Sequence, residues 1–174
     1  MVAIDISHHA LEVLRHGIKG KEKGLTTLAS DMEALPFRNR SFDVVVCAGS
    51  LSYGEPALVD KEIKRVLKPA GVLICVDSLN HNPLYRLNRW IHYLRGSRTK
   101  STLLRMPTIE RIQSLSKGFE TAHVRYFGAI SYLTPGLCLI MGQGRAARLM
   151  DAVDRILKVR KSAFKFVLVA SGYS

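Results

Sequence analysis

The chain has 174 residues, of which 47% are hydrophobic, and its formal net charge is +12 with a pI near 10.0. This length and apolar content suffice for one globular domain with a substantial core. No segment reaches the roughly 18 to 20 consecutive apolar residues that a membrane-spanning helix needs, and the first residues lack the order of a signal peptide. We therefore expect a cytoplasmic protein without a transmembrane segment. The positive charge favours an anionic partner.

The three cysteines of the chain are Cys47, Cys75 and Cys138. Their number is odd, they lack paired spacing, and the first two lie within apolar runs that are typical of strands. The pattern predicts reduced thiols and no metal site.

The first third of the chain alternates short apolar runs with one helical pattern. Strands are predicted at Val2–Ile4 and Leu25–Ala29, separated by a helix that Ser7 caps. The β-branched run Val44–Ala48 follows and is typical of a parallel strand that is buried on both faces. The three runs predict three strands.

A helical pattern at Ala57–Leu67 leads to the next strand, Val72–Val76, through a predicted tight turn at Lys68–Gly71. The alternation of strands and helices predicts an α/β fold with a Rossmann-like, doubly wound, mostly parallel sheet. In such a sheet the carboxyl ends of the strands meet at one edge, where ligands bind. The residues at these ends are Asp5, Asp31, Cys47 and Asp77.

The second half begins with a basic and aromatic segment, Leu84–Arg95, which is predicted to form an amphipathic helix over this edge. A helix at Thr108–Leu115 and a strand at Ala122–Phe127 follow. The chain is then predicted to end with an amphipathic helix at Arg145–Val159 and a strand at Phe164–Ala170. We interpret the basic segment as an inserted cap on the sheet.

Four segments, in order, resemble the class I S-adenosylmethionine-dependent methyltransferases, in particular the small-molecule branch related to ubiquinone and menaquinone methyltransferases. They are Val2–Ser7, Asp31–Phe37, Ser41–Val46 and Arg65–Gly71. The resemblance covers about the first 78 residues and, more loosely, the final strand. It implies a single domain over residues 1–174 with three parts. These are a cofactor-side half (1–79), a basic helical cap (80–120) and carboxyl-terminal strands and helix (121–174).

The resemblance assigns S-adenosylmethionine as cofactor and gives several residues roles in binding it. Asp5 would accept hydrogen bonds from both ribose hydroxyls, for which a carboxylate is suited. Ile6 would pack on the adenine ring, Asp31 would accept from the adenine amino group, and the Met32 amide would address the ring. Cys47 and Ala48 would lie along the methionine portion.

The family's glycine-rich G-x-G-x-G loop would precede Asp5, so the resemblance implies a domain that lacks its first strand, this loop and a helix. We therefore expect the chain to bind the cofactor poorly and its activity to be impaired. Without that strand, Val2–Ile4 and Val44–Ala48 would have unmatched backbone groups, which are costly when buried. The expected outcomes are a gap in the sheet, or self-association across it.

The basic cap is the candidate acceptor site. Arg86, Arg89 and Arg95 are suited to the phosphate or carboxylate of a small-molecule or sugar-linked acceptor. Interleaved arginines and aromatic residues also suit RNA, so nucleic acid is a second possible partner. A third interpretation is peripheral membrane binding, with the apolar run Leu137–Met141 at the surface.

Two residues near the strand ends are candidate catalytic groups. His81 is a candidate base, since the unperturbed pKa of histidine lies near neutrality, and Tyr53 is the other candidate. The leading functional hypothesis is a methyltransferase acting on a small-molecule or sugar-linked acceptor. The alternative is a non-catalytic Rossmann-like module whose basic cap binds an anionic partner such as RNA or a phosphorylated ligand.

Overall fold

The structure is a computed structural model, and it describes residues 1–18, 24–96, 99–156 and 162–173. The predicted end of the last helix at Val159 lies outside these residues. A short 3₁₀ helix, Ser131–Leu133, precedes the sixth helix. The elements are β1 (Val2–Asp5), α1 (His8–Gly17), β2 (Thr26–Ala29), β3 (Phe42–Ala48), α2 (Pro56–Val66), β4 (Leu67–Ser78), α3 (Pro83–Leu94), α4 (Lys100–Leu104), α5 (Ile109–Ser116), β5 (Phe119–Phe127), α6 (Thr134–Met141), α7 (Gln143–Ile156) and β6 (Lys165–Tyr173).

The strands form two sheets. β1 and β2 pair in parallel, and the second sheet has the order β3-β4-β6-β5. β3 and β4 are parallel, whereas β6 runs antiparallel to both of its neighbours. The predicted α/β fold is confirmed. Within the described residues β1 and β3 do not pair, so the structure has the predicted gap between the sheets.

The predicted tight turn at Lys68–Gly71 is wrong, because these residues belong to β4. Leu67 pairs with Phe42 and Val72 pairs with Val44, so the four residues between them lie opposite a single residue of β3. The extra residues form a bulge, which shifts the register of the two strands. A Cβ on Gly71 would lie 2.8 Å from the Leu67 side chain, and glycine avoids that clash.

The core lies on one face of the four-stranded sheet. It is formed by the inward side chains of the strands together with α2 and α5, and its members include Leu73, Cys75, Phe166, Leu168, Val59, Ile63, Ile112 and Leu115. The expectation that β3 is buried on both faces is wrong. Cys47 is buried, but Val44 and Val46 on the opposite face are 50% and 61% exposed. Successive side chains of a strand point to opposite faces, so the face of β3 that carries Val44 and Val46 lies outside the core.

Local capping agrees with the sequence patterns. The Ser7 hydroxyl accepts a hydrogen bond from the Ala10 amide and begins α1, as predicted. The Asn82 side chain accepts from the Leu84 and Tyr85 amides and begins α3.

Among the described residues, every helix is too short or too polar to cross a lipid bilayer.

We expect the core to carry the stability of the fold. Leu73→Ala removes a fully buried side chain and should lower the free energy of unfolding by about 2–5 kcal/mol. Leu58→Ala is the matched control, because Leu58 is 45% exposed and its truncation should cost far less. Urea unfolding of both variants measures the difference. Equal losses would contradict the assignment of the core.

Candidate active site at the carboxyl edge of the sheets

The loops that follow β2 and β3 meet beside the gap between the sheets. The amide of Glu55 donates a 2.7 Å hydrogen bond to Oε1 of Glu33. A Cβ on Gly54 would lie 2.5 Å from Val59 and 3.3 Å from Met32, so the absence of a side chain allows this close approach. The carboxyl ends of β2 and β3 therefore lie at the same edge, although the two strands belong to different sheets.

The loop after β3 is also tied to the end of β4. Gly49 has a φ of +66°, and its amide donates a 2.8 Å hydrogen bond to the carbonyl of Val76. The two carboxylate oxygens of Asp77 accept from the amides of Leu51, at 2.9 Å, and Ser78, at 2.6 Å. These bonds fix the path of the chain where it leaves β3.

Asp77 is buried, with 6% of its surface exposed. Burial raises the pKa of its carboxyl above the ordinary value, and the hydrogen bonds from Ser78 and Leu51 oppose this rise. The sequence marks Asp77 only as an acid at the end of a strand. The structure shows that its carboxylate joins the loop after β3 to the end of β4.

Arg111 connects the cap to the same loop. Its guanidinium donates to the carbonyl of Leu51 at 2.6 Å and to the carboxylate of Asp60 at 3.3 Å. Burial raises the pKa of Asp60, and the nearby Arg111 opposes this rise. Arg111 on α5 thus joins α2, through a partly buried ion pair with Asp60, to the loop after β3. Sequence reasoning did not identify either residue, since they are far apart in the chain.

Asp5 and Asp31 lie close together at the ends of β1 and β2. Asp5 pairs in register with Ala29, and its backbone carbonyl accepts from the amide of Ser30. Both side chains are exposed. One oxygen of each carboxylate accepts a local amide bond, Asp5 from Ser7 at 2.8 Å and Asp31 from Glu33 at 2.9 Å. Within the described residues, the other oxygen of each has no partner.

The remaining predicted cofactor residues differ in exposure. Ile6 is 75% exposed, next to Asp5, and Met32 is half-buried against the core. Ala48 is exposed at the end of β3, whereas Cys47 is buried and faces Cys75 across the strand pair. The neighbouring Cys47 thiol and burial raise the pKa of Cys75. Both cysteines, like Cys138, are free thiols.

The two candidate catalytic residues have different surroundings. Nε2 of His81 accepts a 3.0 Å hydrogen bond from the amide of Ile109, at the start of α5. Since this nitrogen accepts the first amide of α5, His81 acts as a helix cap in this structure. Tyr53 lies in the loop after β3 and is 66% exposed. It stays a predicted catalytic residue at this edge.

The three cap arginines are also placed differently. Arg86 and Arg95 are exposed on α3. Arg89 is 7% exposed, and its guanidinium donates a 2.8 Å hydrogen bond to the carbonyl of Leu79. This internal contact leaves Arg89 poorly placed to bind a solute, whereas the other two remain predicted acceptor contacts.

The comparisons with known proteins decide the family. Residues 1–75 match the family model described as a methyltransferase domain. Residues 1–75 belong to that family. The matched segment contains β1 to β3, α2 and most of β4, and therefore the strand ends that form this edge.

Two curated relatives and one solved structure agree with this assignment. The demethylmenaquinone methyltransferase of Lactococcus lactis is 35% identical over 89 residues, covering 49% of this chain and 35% of the relative. The phthiotriol/phenolphthiotriol dimycocerosates methyltransferase 1 of Mycobacterium ulcerans is 31% identical over 124 residues, covering 68% and 45%. This chain thus spans less than half the length of either relative.

The solved structure is the phosphoethanolamine N-methyltransferase 2 of Haemonchus contortus in complex with S-adenosyl-L-methionine. It superposes with a TM-score of 0.66 at 16% identity, covering 99% of this chain and 43% of that one. The likeness shows the shared fold. The family match and the curated relatives confirm the predicted methyltransferase domain, and they do not favour the non-catalytic module.

The buried carboxyl of Asp77 gives a pH-dependent prediction. Asp77→Asn replaces one carboxylate oxygen, which accepts a hydrogen bond, with an NH₂ group that faces a backbone amide N–H. The variant should therefore have a free energy of unfolding that is lower by about 1–3 kcal/mol at pH 7. The raised pKa means that the folded state binds the proton more tightly than the unfolded chain does. The stability of the parent relative to the variant should therefore rise as the pH falls from 7 to about 4.

Urea unfolding at several pH values measures this difference. Asp43→Asn is the control, because the hydrogen bond and charge of Lys68 lower the pKa of that exposed carboxyl. Its contribution to stability begins to fall only near about pH 5, where the unfolded carboxyl starts to take up protons, so it should stay constant between about pH 7 and pH 5. A parent-to-Asp77→Asn difference that shrinks on acidification would contradict the assigned environment.

Proposed function

We propose that this domain transfers a methyl group from S-adenosylmethionine to a small-molecule acceptor at the carboxyl edge of its sheets. The observation that carries the proposal is the pair of exposed carboxylates, Asp5 and Asp31, each with one unengaged oxygen among the described residues, within a matched methyltransferase domain. When bound, the cofactor supplies an electrophilic methyl group. The protein's part is to orient the two reactants.

The residues at the edge suit the adenosine part of the cofactor. The unengaged oxygen of Asp5 accepts a ribose hydroxyl, and that of Asp31 accepts the adenine amino group, because both are acceptors without internal competition. The exposed side chain of Ile6 supplies an apolar surface for the adenine ring. The hydrogen bonds to Asp77 keep the loop after β3 in place beside them.

The acceptor side is formed by the loop with Tyr53 and by the cap. The relatives from Lactococcus lactis and Mycobacterium ulcerans are named for small-molecule acceptors, and we propose an acceptor of that class here. Arg86 and Arg95 are the exposed cations that would hold an anionic group on it, including that of a sugar-linked acceptor. Tyr53 would contact the group that receives the methyl.

Cofactor binding tests the proposal. Asp5→Asn keeps the shape of the side chain and removes its charge. The affinity for S-adenosylmethionine should fall about tenfold, which corresponds to the loss of one charge-assisted hydrogen bond. Equilibrium dialysis with radiolabelled cofactor at concentrations up to millimolar measures both proteins. This range also detects weak binding.

Asp43→Asn is the matched control, because Asp43 is an exposed acid at the start of β3, bound to Lys68 at 2.8 Å. It should bind the cofactor like the parent. If Asp5→Asn binds as tightly as Asp43→Asn, or if the parent shows no binding at millimolar cofactor, the proposed site is wrong.

Transfer of labelled methyl to demethylmenaquinol tests the acceptor class. Tyr53→Phe should reduce turnover in this assay while leaving the affinity for the cofactor unchanged.

A further inference from the structure

The helix α3 packs with a polar and aromatic side towards the protein. Tyr85 stacks on Phe164 with ring centroids 4.4 Å apart, and its hydroxyl is 2.8 Å from Oγ of Ser131. Arg89, on the same side, is buried and bonds to the carbonyl of Leu79. These contacts use the hydrogen-bonding groups of Tyr85 and Arg89 internally, and they fix which side of the helix faces solvent.

The outward side of α3 is apolar. Its five residues, at helical spacing, are 39–68% exposed: Leu84, Leu87, Trp90, Ile91 and Leu94. We name them the α3 face. The sequence pattern predicted that the helix lies over the edge of the sheet, whereas in the structure the α3 face is exposed to solvent. Contiguous exposed apolar surface of this kind marks a contact with a membrane or another protein.

The charges around the α3 face favour an anionic lipid surface. Residues 79–109 contain six Lys or Arg and no Asp or Glu. Arg86 and Arg95 of α3 and Lys100 of α4 are exposed. An apolar helix face with flanking cations is typical of helices that lie in the plane of a bilayer interface, and tryptophan is enriched at that depth. Cations near the surface are attracted to anionic headgroups.

We propose that the α3 face is a docking surface for an anionic lipid bilayer. The apolar side chains enter the boundary between headgroups and acyl chains, while Arg86, Arg95 and Lys100 contact lipid phosphates. α3 begins five residues after β4 ends, beside the carboxyl edge. Docking therefore places that edge next to the bilayer. Given the proposed function, the acceptor would be an apolar molecule that enters the site from the lipid.

A second exposed apolar segment lies nearby in the fold. Ser131, which contacts Tyr85 of α3, precedes α6, where Leu139 and Ile140 are 89% and 82% exposed. The sequence pattern Leu137–Met141 had indicated surface apolarity here. α6 is thus a candidate second contact with the same bilayer.

Trp90 is the single tryptophan of the chain, so its fluorescence reports on the α3 face alone. Addition of vesicles of equal parts phosphatidylglycerol and phosphatidylcholine should shift its emission to shorter wavelength, as the 57% exposed indole leaves water. Vesicles of phosphatidylcholine alone should give a smaller shift, and high salt should weaken binding to the anionic vesicles. Unchanged emission in excess anionic lipid would overturn the proposal.

A variant pair tests whether the α3 face is the contact. Leu87→Gln with Leu94→Gln keeps the fluorescent probe and should reduce sedimentation with anionic vesicles about tenfold or more. Val13→Gln with Leu58→Gln is the control, because these residues are 58% and 45% exposed on α1 and α2. It should sediment like the parent. Equal sedimentation of the two double variants would overturn the proposal.

The experiment also separates other occupants of the face. Concentration-dependent dimerisation that the Leu87→Gln, Leu94→Gln variant abolishes, without vesicle binding by the parent, would show that a second copy covers the face and would overturn the proposal. None of these measurements requires cofactor. Failure of vesicle binding with intact cofactor binding therefore rejects the docking surface alone, whereas loss of cofactor binding rejects the proposed function.

Discussion

The buried carboxylate of Asp77 is the contact on which the carboxyl edge depends. It accepts two amide hydrogen bonds at the point where β4 ends, and one of them comes from Leu51 in the loop after β3. A buried acid is costly unless it is hydrogen-bonded, so its position is retained only while both amides stay in place. The loops that would hold a ligand are therefore coupled to the core of the sheet.

The cap is connected to this edge through two arginines with internal roles. Arg111 joins α5 to Leu51 and Asp60, and Arg89 joins α3 to Leu79. Because these guanidiniums are used inside the protein, the exposed arginines of α3 are Arg86 and Arg95, beside the apolar side chains of the α3 face. The internal hydrogen bonds of the cap therefore decide which of its arginines remain at the surface.

The positions of the strands along the chain and the acids at their ends could be predicted from the sequence, since strands have local apolar patterns and Asp5 and Asp31 follow them directly. The bulge in β4 could not, because Lys68–Gly71 has the composition of a turn and only pairing with β3 makes it part of a strand. The contact between Arg111 and Asp60 also lacks a local signal.

The orientation of α3 was equally inaccessible from the sequence. Its pattern defines an apolar stripe but does not say which side packs, and the usual expectation places that stripe inward. Tyr85 and Arg89 reverse it, because Phe164 and the carbonyl of Leu79 are available as partners. Such pairings join distant parts of the chain and arise only in the folded protein.

The proposed function depends on binding of adenosine at the carboxyl edge beside Asp5 and Asp31. Amide chemical shifts of the ¹⁵N-labelled chain, titrated with S-adenosylhomocysteine, test it most directly. Concentration-dependent shifts are expected at Ile6, Met32 and Gly49. The shifts of Arg40 and Lys68, at the other end of the strands, should stay unchanged. Shifts confined to Arg40 and Lys68, or none at saturating ligand, would contradict it.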